Sequence, residues 1–181
     1  MDHAPQFIKQ IVFKRYGVPQ GTWVETGTYL GSTTRYLHSL GGKVITIEPE
    51  PTLYANAREA LEPIGVTVVN GTSEEVLEEI VEGLTGDVNF WLDGHYSAGP
   101  TFKGNTDCPI EVELATIEKC LGQMGRVTIL IDDVRLFVSD APENADYPPL
   151  DTLVAWASAN GFRWQIVHDI FIMQNWSPKQ A

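Results

Sequence analysis

Apolar residues recur along this chain in two alternating rhythms, short β-rich runs and longer stretches with a helical period. Residues 5–16 form the first helical stretch, with Phe7, Ile8, Ile11 and Val12 on one face. GTWVET (21–26) is the first expected strand, and STTRYLHSL behind it reads as a helix stopped by Gly41-Gly42. KVITIEP (43–49) is the second strand, after which Pro51 opens a helix striped with Leu53, Tyr54, Ala57 and Leu61. GVTVVNG (65–71) is the third strand. Thr72 and Glu75 then form a capping box ahead of a helix with Val76, Leu77, Ile80, Val81 and Leu84. VNFWLDG (88–94) is the fourth strand, and a Gly/Pro-rich loop follows it. Pro109 begins a helix with Ile110, Leu114, Ile117 and Leu121 on one side. RVTILIDD (126–133) is apolar nearly throughout, as a central parallel strand should be. After the loop 139–149 and a helix over 150–160, FRWQIVHD and IFIMQN meet near His168-Asp169 as a hairpin.

This alternation predicts an α/β, Rossmann-like, doubly wound sheet of seven strands, mostly parallel, with a C-terminal antiparallel hairpin. The whole chain, 1–181, reads as one domain, with an N-terminal helix in 1–20 and the core in 21–175.

Composition changes the picture in three places. No apolar run approaches the ~20 residues a membrane span needs, so no membrane role is expected. The N-terminal MDHAPQFIKQIVFKRYG lacks the features of a signal peptide, which makes the cytoplasm the expected location. Cys108 and Cys120 are too few for a disulfide framework and lack metal-knuckle spacing. The formal net charge of −12, with 12 scattered Lys and Arg, disfavours a nucleic-acid partner and favours a small-molecule substrate.

Ligands of open α/β sheets bind beyond the carboxyl ends of the strands, so those ends carry the candidate chemistry. After the first strand, ETGTYLGS places Glu25, Gly27, Thr28, Gly31 and Ser32 where backbone can approach a ligand closely, just before a helix N-terminus. Glu48, 21 residues beyond Gly27, ends the second strand and can accept both hydroxyls of a ribose. Gly71, Thr72 and Ser73 follow the third strand, where helix capping explains the two hydroxyls equally well. Asp93 follows the fourth strand, and Asp132-Asp133 the fifth. Three neighbouring carboxylates raise one another's pKa, a repulsion that a hard divalent cation such as Mg²⁺ relieves.

Five βα units ending in a hairpin, with an E-x-G-x-x-x-G turn and acids after strands four and five, resemble the class I S-adenosylmethionine (SAM) dependent methyltransferases. The strand-end acids are most similar to those of the metal-dependent O-methyltransferases of catechol and macrocin type. The resemblance implies SAM binding by Glu25, Gly27, Thr28, Gly31, Ser32, Glu48, Gly71, Thr72, Ser73 and Asp93. It implies Asp93, Asp132 and Asp133 as Mg²⁺ ligands, and O-methylation of a small hydroxylated metabolite, a sugar or a phenol with vicinal hydroxyls. Two alternatives stay open: Asp93 binds the SAM amino group or the substrate, and one acid of the Asp-Asp pair caps a turn. Besides Asp93, His95 is the candidate general base, with Lys103 its rival in the same loop. The chain is short for such an enzyme, which suggests a homodimer in which a partner subunit completes the pocket. Two other functions fit the nucleoside features, a SAM-binding protein without transferase activity and a nicotinamide-dependent oxidoreductase.

Overall fold

Seven strands line up in the order β3-β2-β1-β4-β5-β7-β6 in a computed structural model that describes residues 3–94 and 108–177. His95, Tyr96, Phe102 and Lys103 fall outside the described residues. β1 (Thr22–Thr26), β2 (Val44–Glu48), β3 (Thr67–Asn70), β4 (Gly86–Leu92) and β5 (Met124–Ile131) are parallel. β6 (Arg163–Val167) and β7 (Ile170–Gln174) form the expected hairpin, and β7 inserts antiparallel between β5 and β6. The helices are α1 (Gln6–Tyr16), α2 (Ser32–Ser39), α3 (Pro51–Leu61), α4 (Ser73–Glu82), α5 (Ile110–Cys120) and α6 (Leu150–Ala159). This is the mostly parallel seven-stranded sheet that the sequence pattern predicts.

The pleat of β4 divides the core. Val88, Phe90 and Leu92 face one way, into a cluster with Leu77 of α4, Ile117 of α5 and Leu153 of α6. Trp91 faces the other way, with Phe13 of α1, Leu37 of α2 and Leu61 of α3. The sheet is therefore covered on both faces, which explains its near-continuous apolar strands. Among the described residues, no helix is long and apolar enough to cross a membrane.

α1 differs from the sequence expectation in its rotation. Phe7 and Ile11 are exposed at 61% and 56%, while Lys9, Val12 and Phe13 are buried. Phe13 meets the edges of Trp23 and Trp91 at centroid distances of 5.7 and 4.7 Å, and these two indoles outweigh what Phe7 could bury. The end of α1 is strapped to the sheet, since the Tyr16 carbonyl accepts from Thr128 Oγ1 and from Gln174 Nε2. Buried Asn89 fixes the link to β1 by bonding both backbone groups of Val18. These bonds hold the end of α1 beside the middle of β4 and β5, and an earlier turn of the helix carries Lys9 to the acids at their carboxyl ends.

Candidate active site

β1 is followed by β2 on one side and neighboured by β4 on the other, so the strand order reverses between β1 and β4. That reversal opens a crevice at the carboxyl edge, where ligands of such sheets bind. The turn Gly27–Gly31 lies along it. Gly27 has φ +88°, and a Cβ there would stand 2.6 Å from the Asp93 carbonyl oxygen, so the glycine lets β1 pass the end of β4. Gly31, at φ +73°, caps α2 against Leu61. Ser32, the first residue of α2, is exposed.

Glu48 is 4% exposed, and its carboxylate fastens this turn. Oε2 accepts the Tyr29 N–H at 2.7 Å, and Oε1 accepts the Glu50 N–H at 3.0 Å. Burial pushes its pKa up against these two bonds. Each oxygen keeps a lone pair for a hydroxyl donor. Gly71 lies next to it, with its N–H on the Glu48 carbonyl. Gly71 has φ +146° and a Cβ there would meet Val76. Thr72 and Glu75 make the expected capping box, the Thr72 N–H reaching Glu75 Oε2 at 3.2 Å. Ser73 is buried in the first turn of α4.

Glu25 is fully buried beneath the turn, not turned outward to a ligand. Its Oε2 lies 2.5 Å from Thr34 Oγ1 and 2.7 Å from Thr46 Oγ1. Thr46 Oγ1 is in turn 2.6 Å from Thr28 Oγ1, which donates to the Ile47 carbonyl at 3.1 Å. Thr34 and Thr46 both donate to Oε2, while Oε1 is buried without a hydrogen-bond partner. Burial, the largest influence, pushes its carboxyl up to about 8, against the two threonine hydrogen bonds.

The strand-end acids do not converge as a set of three. Asp132, 2% exposed, forms an ion pair with Lys9 of α1, and Lys9 Nζ is 3.5 Å from Asp93 Oδ2. Asp133 takes a left-handed conformation at φ +56° and opens a 3-10 turn over Val134–Val138. Its carboxylate binds Arg135, which also grips Asp169 in the hairpin turn. Asp133 therefore ties the end of β5 to the hairpin through Arg135, and its carbonyl accepts the Leu136 N–H in the turn that follows. Among the described residues, no group of three or more His, Cys, Asp and Glu is placed to hold a metal ion. The expected Mg²⁺ site over Asp93, Asp132 and Asp133 does not fit these residues.

Lys9 is the site residue that the sequence pattern hides. Only 7% exposed, it reaches along α1 with its ammonium 5.2 Å from the centre of the Trp91 ring. Burial alone would lower its pKa, but Asp93 and Asp132 outweigh that and raise it. Burial and then Asp93 raise Asp132 to about 7, against the pull of Lys9. While Oδ2 of Asp132 holds Lys9, its Oδ1 is buried without a hydrogen-bond partner. Asp132 also lines a shallow recess, half open to solvent, with Leu92, Cys108, Glu113, Phe137 and Tyr147. Phe137 and Tyr147 meet edge to face at 5.3 Å on its wall. Cys108 there is inert, its thiol pushed up to about 12, chiefly by burial.

Solved structures superimpose on this chain along nearly its whole length, with methyltransferases among them. A protein named as an rRNA methylase, from Clostridium thermocellum, is 14% identical, with a TM-score of 0.59 over 96% of this chain and 97% of its own. Precorrin-6y C5,15-methyltransferase from Geobacter metallireducens is 13% identical, with a TM-score of 0.60 over 97% of this chain and 89% of its own. Fibrillarin from Aeropyrum pernix, in complex with natively bound SAM, is 12% identical, with a TM-score of 0.57 over 93% of this chain and 73% of its own. No family model and no curated protein matches the chain. The fold is the Rossmann-like methyltransferase fold.

Proposed function

We propose that this protein is a SAM-dependent methyltransferase that methylates a hydroxyl oxygen of a small molecule. The observation that carries the reading is the crevice between β1 and β4, with a glycine turn and Glu48 on one side and Asp132 on the other. The likeness to SAM-bound fibrillarin supports the cofactor. Glu48 would accept the ribose hydroxyls, the Gly27–Gly31 turn and Ser32 would line the cofactor, and Gly71, Thr72 and Ser73 would border its base. When bound, SAM supplies a methyl group on a sulfonium centre. The chain's own task is to align the acceptor oxygen with that methyl and exclude water. Asp132 Oδ1 would hold the acceptor hydroxyl and take up its proton. His95 and Lys103 are the rival bases.

Calorimetric titration of the ligand-stripped protein with SAM, in EDTA, tests the cofactor. Micromolar binding that Glu48→Ala removes supports it. Binding of a reduced nicotinamide cofactor with none of SAM would replace the transferase by an oxidoreductase.

A further inference from the structure

The acid pair at the ends of β4 and β5 already has a counter-ion, and the chain supplies it. Lys9 projects from α1 between Asp93 and Asp132, ion-paired to the second and 3.5 Å from Oδ2 of the first. The Lys9 and Asp132 side chains are 9% and 1% exposed. Such a pair is held by packing on all sides, unlike a surface salt bridge that contributes little. Phe13, one turn along α1, wedges against Trp91, and the Trp91 ring faces the ammonium. Asp93, with 24% of its side chain exposed, is the side from which an ion would enter.

We propose that Lys9 is a built-in cation, occupying the position over Asp93 and Asp132 that a divalent metal would otherwise take, so that the site works without one. Two carboxylates and water suffice for Mg²⁺ or Mn²⁺ when nothing else neutralises them. Here a single ammonium fills the place between them and offsets one of the two charges, and Asp133, the third acid, is committed to Arg135. The meaning for the acceptor rests on the methyl-transfer reading; the ion chemistry does not. With no metal to chelate, the acceptor needs no vicinal pair of hydroxyls. One hydroxyl donor is enough, meeting Asp132 Oδ1 at the recess that Leu92, Glu113, Phe137 and Tyr147 also line.

The test is ion binding, read by calorimetry with Mn²⁺ on EDTA-stripped protein in five forms: wild type, Asp132→Asn, Lys9→Arg, Lys9→Gln and Lys9→Gln/Asp132→Asn. We expect no Asp132-dependent binding in wild type or Lys9→Arg, one site in the millimolar range or tighter in Lys9→Gln, and its loss in the double variant. A structural role for Lys9 alone would create no ion site and would not separate Arg from Gln. If Lys9→Gln unfolds, Mn²⁺ should restore its circular dichroism; failure to do so overturns the proposal. A folded Lys9→Gln that binds nothing also overturns it, as does wild-type binding that Asp132→Asn abolishes. SAM affinity is measured separately on the wild type, so failure of this proposal and failure of the cofactor reading remain distinct.

Discussion

Glu25 occupies the position where an ionised carboxylate is most costly, fully buried among threonines. Its proton has consequences for stability. In the fold its pKa is about 8, raised first by burial, whereas the ordinary value is 4.5. Between those values the unfolded chain binds fewer protons than the native one, so stability falls as pH rises. The wild-type thermal midpoint should therefore decline from pH 5 towards pH 8 more steeply than that of Glu25→Gln, whose amide is neutral throughout. The difference between the two curves should amount to a few kcal/mol across that window. Parallel curves would show that Glu25 is ionised in the fold. Gly27→Ala places a Cβ against the Asp93 carbonyl at positive φ, and should cost about 1–3 kcal/mol in a denaturant titration. An unchanged midpoint would mean that the turn can shift freely. The sequence marked both residues as special but not their reasons, because neither a buried hydroxyl chain nor a passing carbonyl leaves a local pattern.

At the scale of elements, strands and helices were legible nearly to their ends, since strong β runs and capped helices alternate without ambiguity. The site was legible only in part. Asp132 and Asp133 read as one pair, yet the last strand bond, from the Asp132 N–H to the Leu92 carbonyl, separates them. Past it the chain turns left-handed, and the second carboxylate leaves for the hairpin. α1 was misread in rotation because a lysine counts as polar in any periodicity, while Phe7 and Ile11 count as core. The structure makes the reverse prediction for that helix. Phe13→Ala, which opens a gap between Trp23 and Trp91, should cost about 3–5 kcal/mol. Phe7→Ser and Ile11→Ser should each stay within about 0.5 kcal/mol of wild type. Urea denaturation of the three variants decides. Comparable losses at Phe7 or Ile11 would mean that a second copy or another partner covers that face, as the suggested homodimer would require.

At the scale of the whole molecule, the fold does not choose an acceptor for the proposed transfer, so charge must decide between RNA and a small molecule. A protein named as an rRNA methylase shares this fold, and a fold does not carry its substrate with it. A methylase of RNA must neutralise phosphates, and each neutralised phosphate steepens the salt dependence of binding. This chain has a net charge of −12. Five of its 12 Lys and Arg are, moreover, held by a carboxylate of the same molecule: Lys9, Arg58, Lys119, Arg126 and Arg135. The mouth of the site is bordered by Asp93 and Glu48, which would repel a phosphate backbone further. A structured RNA oligonucleotide should thus show no saturable binding by fluorescence anisotropy, even at low ionic strength and with SAM present. Tight binding that weakens steeply with salt would reveal a basic surface and move the acceptor from metabolite to RNA. Both outcomes leave the proposed SAM site untouched, because the crevice between β1 and β4 is set by strand order and the proposed acceptor by what surrounds it.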